Sequence, residues 1–208
     1  MGYVESVNIA VVRTGDWTGS VGSTGIDKRP VGHRVWFGRE GVRGDSVRDT
    51  KRHGAWYQAA YAYDAEDLRY WSEELDGELV AGSAGENLTL VDCDASRALI
   101  GERWRVGTAV VRVTGPRTPC RVFAGFWNAA DLVKRFTAVG RTGAYLAVET
   151  PGEVGAGDER KVLSRPEHGV TVADVFAFRM GNRGLAEHVT AGLDDLPAPW
   201  AEAITAVL

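Results

Sequence analysis

Chemistry in this sequence concentrates at Cys120, one of two cysteines, which ends the turn Gly115-Pro116-Arg117-Thr118-Pro119-Cys120. A thiolate is a strong nucleophile and a strong ligand for soft or electron-poor metals, and a guanidinium nearby lowers the cost of forming it. Arg117 stands three residues before the sulfur and Arg121 directly after it, with Pro116 and Pro119 stiffening the backbone between. The competing reading is a small buried hydrophobe, the ordinary role of a lone cysteine. Cys93 lies between Asp92 and Asp94, whose charges oppose thiolate formation, so it reads as structural. With no CxxC spacing, the two thiols predict neither a zinc site nor a disulfide framework.

Cations and amides form the second group of candidates. Lys28 and Arg29 are held by Pro30 in a glycine-framed turn, where adjacent cations can hold an anion such as a phosphate. Arg48, Lys51, Arg52 and His53 crowd the densest polar run, residues 44–54, which is either a solvated loop or a basic wall facing the same pocket as Lys28 and Cys120. Arg141 and Thr142, between Gly140 and Gly143, are a further candidate anion contact. Asn87, at a strand start after Gly85 and Glu86, either donates and accepts toward a bound heterocycle or simply forms the turn.

The elements that must position these residues read as mainly β, in an α+β arrangement. Glycine is 26 of 208 residues. That is well above the usual share of about 7% and, between Val/Thr/Tyr/Trp-rich segments, it predicts many tight turns between short strands. Strands are expected at 3–13, 33–37, 55–63, 87–90, 144–149 and 162–165, with two more over 99–114 joined at Gly107 and feeding the cysteine turn. A helix is expected over 64–75, with Asp64 as N-cap and Leu68, Trp71 and Leu75 on its buried stripe. A short helix capped by Asn128, with Leu132, Val133 and Phe136 inward, should stop at Gly140. The expected division is a β domain over 1–166 and a short helical appendage over 167–208, opening on a capping-box-like Thr171 to Asp174.

A net charge of −4 argues against a general nucleic-acid binder, and the acidic tail disfavours a DNA-reading helix-turn-helix. No apolar run long enough to span a bilayer occurs, and the N-terminus lacks the pattern of a signal peptide, so a soluble cytoplasmic protein without a membrane partner is expected.

Taken in order, Val7-Asn8, Thr24-Gly25-Ile26-Asp27-Lys28-Arg29-Pro30-Val31, Gly41-Val42-Arg43-Gly44-Asp45, His53-Gly54, Gly85-Glu86-Asn87-Leu88-Thr89, Pro116-Arg117-Thr118-Pro119-Cys120, Gly140-Arg141-Thr142-Gly143, Pro151-Gly152 and Ala156-Gly157-Asp158 resemble the MOSC domain family. That family is named for the C-terminal region of molybdenum cofactor sulfurases, and the likeness is greatest to its bacterial stand-alone branch. The resemblance implies a MOSC-type β-barrel with a few helices that binds molybdenum cofactor, the molybdopterin-held metal. It further implies Cys120 as the catalytic ligand to molybdenum. Lys28, Arg29, Arg48, Arg117, Arg141 and Thr142 would hold the cofactor phosphate, with Asn87 and His53 as cofactor or substrate contacts.

The implied reaction is reduction of a small N-hydroxylated substrate to its N–H form. No GxGxxG stands between a strand and a helix to bind a flavin or nicotinamide, so an external iron–sulfur protein or flavoprotein would donate electrons. The chain departs from the family pattern at Asp45-Ser46-Val47-Arg48-Asp49 and His53-Gly54-Ala55, where relatives commonly carry Asp-x-Gln-Ala-Asp and His-Gly-Gly, and Trp56 is expected to fill pocket space. The alternatives are a non-catalytic carrier of the cofactor or of a persulfide on Cys120, and a repurposed fold without the cofactor.

Overall fold

The computed structural model describes residues 2–51 and 53–208, so Arg52 of the basic run lies outside the described residues. The N-terminal half contains β1 (Tyr3–Ala10), β2 (Arg13–Thr14), β3 (Ser23–Thr24), β4 (Lys28–Pro30), β5 (Val35–Gly38), β6 (Gly41–Val42), β7 (Ala60–Asp64), α1 (Ala65–Leu75) and β8 (Leu88–Val91). Then follow β9 (Arg103–Val106), β10 (Ala109–Gly115), α2 (Arg121–Phe126), α3 (Leu132–Val139), β11 (Ala144–Thr150), β12 (Gly152–Val154) and β13 (Arg160–Ser164). The chain ends in α4 (Val172–Arg179), α5 (Ala186–Thr190) and α6 (Ala198–Thr205).

Eight strands form one sheet in the order β13-β9-β10-β11-β7-β8-β1-β4. All neighbours are antiparallel except β7 and β8, which run parallel because α1 carries the chain back between them. The sheet curls into a half-barrel. Its ends approach where Val4 N–H donates to the Asp158 carbonyl at 2.9 Å and Arg160 N–H to that of Gly2 at 2.9 Å.

Strand β7 is buried on both faces, and its period of two divides the core. Ala60 and Ala62 face the interior with Val4, Leu88, Leu90, Trp104 and Leu146. Tyr61 and Tyr63 face the other way, into an aromatic layer with Trp71, Phe123, Phe136 and Phe176. Residues beyond 167 belong to both layers: Val172, Val175, Phe178, Val189 and Ile204 pack in the first, and Phe176 in the second.

Several expectations are met: the helix at Ala65–Leu75, the strands either side of Gly107, and the capping box in which Thr171 accepts from Asp174 N–H and Asp174 from Thr171 N–H. Others need correction. The 55–63 strand begins only at Ala60, because Trp56–Gln58 forms a single 3-10 turn. Asn128 does not cap the next helix; Asp131 stands at that N-cap, and Asn128 occupies a left-handed turn at φ 50°. Val133 is exposed there, since Leu132 and Phe136, four apart, already define the inner face.

Gly140 does end α3 in a left-handed conformation at φ 72°, its N–H donating to the Phe136 carbonyl at 3.0 Å. Gly143 is needed for another reason. It sits at φ +60°, and a methyl there would run into the Ala62 carbonyl and lie 2.7 Å from the Tyr63 ring.

A buried polar cluster ties β1, β8 and the preceding loop together. Asn8 Nδ2 donates to Thr89 Oγ1 at 2.9 Å and to the Glu86 carbonyl at 3.2 Å. The Glu86 carboxylate accepts from Gly82 N–H at 2.6 Å, Thr89 Oγ1 at 2.8 Å and Ala84 N–H at 2.9 Å. Burial nonetheless pushes Glu86 up to about 7. Asp64, at the start of α1, is also pushed up to about 7 by burial, against one backbone N–H from Ala95.

Two outcomes follow from this packing. Gly143→Ala should lower stability by about 2 kcal/mol or more, read as a fall in the thermal midpoint, because left-handed strain adds to the backbone clash. Glu86 and Asp64 keep protons in the fold that the unfolded chain releases from about pH 4 upward. Their contribution is therefore present at low pH and is lost as pH rises to about 7, levelling above it. Asp64→Asn, which carries no charge, should flatten part of that slope in urea midpoints measured between pH 5 and 8; an unchanged slope would mean Asp64 ionises at ordinary pH.

Candidate functional site

Cys120 precedes α2 in an extended conformation and lines a cavity of about 770 Å³. The strand β10 delivers the chain to this point, and Arg117 anchors the turn that follows. Its guanidinium is buried, lies 4.1 Å from the Phe123 ring centroid and 5.3 Å from that of Tyr61, and donates to the Ala84 carbonyl. Arg117 thus places a permanent positive charge behind the sulfur while bracing the 82–86 loop.

The cavity wall opposite is made by the 18–26 and 40–59 segments. The 3-10 turn Asp16–Val21 packs on α2, with Trp17 stacked on Phe126 at 5.8 Å. Gly25 lies so close to the Ser46 carbonyl that no side chain fits between them. Cations in the lining are Lys28, Arg48, Lys51, Arg117 and Arg121, against carboxylates of Glu40, Asp45 and Asp49. The site is net positive and carries one soft sulfur, with hydroxyls from Thr18, Ser20, Ser23 and Thr24.

Lys28 and Arg29 are adjacent on β4 and part company by strand alternation. Lys28 turns inward, 8% exposed, onto Asp45; burial lowers its pKa while the Asp45 charge opposes that. Asp45 also accepts from Ala10 N–H at 2.9 Å and from Asn87 Nδ2 at 2.8 Å. Its carboxyl is lowered overall, Lys28 outweighing burial. Arg29 points away and pairs with Asp27 at 2.7 Å.

Asn87 lines the cavity, but its amide is occupied. Oδ1 accepts from Tyr61 N–H at 3.1 Å, while Nδ2 serves Asp45 and the Asn8 carbonyl. Arg48 reaches Ser23 Oγ at 3.1 Å from an exposed position, and His53 lines the same wall. Trp56 is 55% exposed and is not part of the lining, so the expectation that it fills the pocket is corrected: the 3-10 turn puts its neighbour Tyr57 inside instead.

Arg141 and Thr142 are not brought to this cavity. Arg141 stacks over Tyr70 at 4.2 Å and pairs with Asp67 at 2.8 Å, beside a different cavity. Thr142 is fully buried, its hydroxyl donating to the Gly143 carbonyl at 2.9 Å and its carbonyl accepting from Tyr61 Oη at 2.7 Å. The Gly-Arg-Thr-Gly motif therefore locks β7 to the approach of β11. Cys120, Lys28, Arg48, His53, Asn87 and Arg117 are the sequence candidates that converge.

Sequence reasoning passed over Tyr61, Tyr145 and Asp45. Alternation within β11 puts Tyr145 opposite the interior-facing Ala144 and Leu146, which was the available signal. Tyr145 lines the cavity, its phenol raised by burial and opposed by the Arg117 charge. Among the described residues no helix is long and apolar enough to cross a membrane, and no three His, Cys, Asp or Glu side chains converge on a metal position. A single sulfur ligand to a metal brought by its own organic chelate needs no such cluster.

Known proteins extend this picture. A family model of the MOSC domain matches residues 49–161. The uncharacterised protein YflK of Bacillus subtilis (strain 168) is 35% identical over 188 residues, 90% of this chain and 84% of the relative. Protein YiiM of Escherichia coli (strain K12) is 30% identical over 156 residues, 74% of this chain and 69% of the relative. The crystal structure of YiiM from Geobacillus stearothermophilus superposes with a TM-score of 0.81 at 27% identity, over 99% of this chain and 98% of that one. Sharing both the motif order and the whole architecture, the chain belongs to the MOSC domain family, in its stand-alone YiiM-like branch.

Proposed function

We propose that this protein holds molybdenum cofactor in the Cys120 cavity and uses it to reduce N-hydroxylated compounds to their N–H forms. One observation carries the reading: a cysteine lines a net-positive cavity of about 770 Å³, with the buried cation of Arg117 behind it. The donor set suits the group. A soft sulfur matches an electron-poor oxo metal, and the cations and hydroxyls of the opposite wall match a phosphate. Cys120 would ligate the metal, and Arg48, with Ser23 beside it, would hold the phosphate. Bound there, the cofactor supplies the two-electron, oxygen-accepting chemistry.

The protein's own groups then bind and orient. Lys28 and Asn87 are committed to Asp45, so their contribution is a fixed wall rather than a movable contact. Tyr61 and Tyr145, 5.2 Å apart by ring centroid, present aromatic surface to a planar heterocycle. Electrons would come from an external iron–sulfur protein or flavoprotein. The second reading is a carrier that holds the cofactor, or a persulfide on Cys120, without turnover. It is favoured by the one-sulfur site, which carriage also requires, and by the changed 45–55 segment.

Protein made in a host that synthesises the cofactor should carry near-stoichiometric molybdenum and pterin, both lost in Cys120→Ala with the melting curve unchanged. Well-folded protein with neither overturns cofactor binding. A mass increase of about 32 Da on Cys120, one added sulfur atom, would then favour carriage. With metal and pterin bound but no reduction of N-hydroxylated substrates by artificial electron donors, the carrier reading stands. Arg48→Ala, at an exposed position, should keep stability within about 0.5 kcal/mol and release pterin more easily. Lys28→Met should instead cost about 3 kcal/mol of stability, because Asp45 is left buried without its partner.

A further inference from the structure

A second cavity, of about 780 Å³, lies between the start of α1, the 92–97 loop, the end of α3 and α4, and shares no lining residue with the Cys120 cavity. Its charge is reversed. Carboxylates of Asp64, Glu66, Asp67, Asp92, Asp94 and Asp174 face only the guanidiniums of Arg97 and Arg141.

Some of those carboxylates are already answered. Asp174 belongs to the α4 cap and accepts from His188 at 3.2 Å, Asp67 pairs with Arg141, and Glu66 meets Arg69 at 3.2 Å. Asp92 and Asp94 make no ion pair among the described residues. Asp64 is 3% exposed, and while its Oδ2 accepts from Ala95 N–H at 2.6 Å, its Oδ1 has no hydrogen-bond partner. Its carboxyl stands in the field of Asp67, Asp94 and Glu66, all in the same lining. A buried acceptor left open costs about 1–3 kcal/mol, which a donor lodged against this wall would remove.

The kind of donor is set by the surroundings. Among the described residues no three acidic, histidine or cysteine groups converge as a metal cage does, so the carboxylates suit a charge spread over several N–H groups. Arg141 already demonstrates the recognition, with its guanidinium on the Asp67 carboxylate and over the Tyr70 ring. Opposite the acids, Val139, Ala173, Phe176 and Ala177 supply an apolar wall.

We propose that this cavity binds a small organic cation, an amidinium or guanidinium on a compact apolar body, with Asp64 and Asp94 accepting from the cation and Phe176, Ala173 and Ala177 against the body. The site is independent of whatever Cys120 holds. Benzamidinium is the probe, with neutral benzamide as its uncharged counterpart, and binding is followed by backbone amide shifts and calorimetry on the full chain. Saturable shifts at Asp94, Arg97, Ala173 and Ala177 are expected, unchanged in Cys120→Ala and at least about tenfold weaker in Asp64→Asn and Asp94→Asn. Asp94 sits in a left-handed conformation at φ 48° on a loop, which asparagine adopts readily, so that variant keeps the fold if Asp64→Asn does not. The proposal is overturned by absence of saturable binding at millimolar benzamidinium, by equal binding of benzamide, by wild-type affinity in Asp94→Asn, or by shifts confined to the Cys120 cavity.

Discussion

The structure turns on a set of buried polar groups that satisfy one another only when several distant segments meet. Asn8 from β1, Glu86, Asn87 and Thr89 before and within β8, Asp45 from a loop and Lys28 from β4 form one connected cluster. Each member is costly to bury alone and acceptable when every bond is made, so the cluster assembles as a unit or not at all. That requirement pins the short edge strand β4 and the 45 loop to the sheet. The cavity beside Cys120 inherits its rigid wall from this constraint.

A consequence is that like residues do unlike work. Lys28 and Arg29 differ by one position on a strand, and the pleat sends the first into the cluster and the second toward Asp27 at the surface. Arg117 is buried between aromatic rings as a brace, whereas Arg48 stays exposed at the rim. A buried cation cannot leave its partner without a large penalty, while an exposed one is available to a mobile anion. Burial, not residue type, sorts the cations into wall and hand.

The two cavities repeat this division at a larger scale. Strand β7 runs from one to the other, with Tyr61 in the positive cavity and Asp64 in the acidic one. The cysteines follow the same partition. Cys120 stands near Arg117 and Cys93 among aspartates, where burial raises its thiol although Arg160 donates to the sulfur at 3.4 Å. Opposite electrostatics on one scaffold select ligands of opposite charge without competition between them.

By itself the sequence determined the fold class, most strand and helix positions, the family and the standing of Cys120, because these depend on local periodicity, turn chemistry and ordered motifs. It also marked Asn8, Asp45, Glu86 and Asn87 as special within motifs, without saying that their bonds go to each other. Only the tertiary structure decided that. Whether Asn87 has a donor to spare, or Arg141 faces the Cys120 cavity, is a matter of which residues far apart in the chain come within hydrogen-bond reach. Such contacts are set by how the sheet curls and leave no trace in spacing. The Gly-Arg-Thr-Gly turn makes the point: its composition resembles an anion loop, yet the Ala62 carbonyl packed against Gly143 and the Tyr61 and Tyr63 hydroxyls bonded to its carbonyls make it a clamp between β7 and β11.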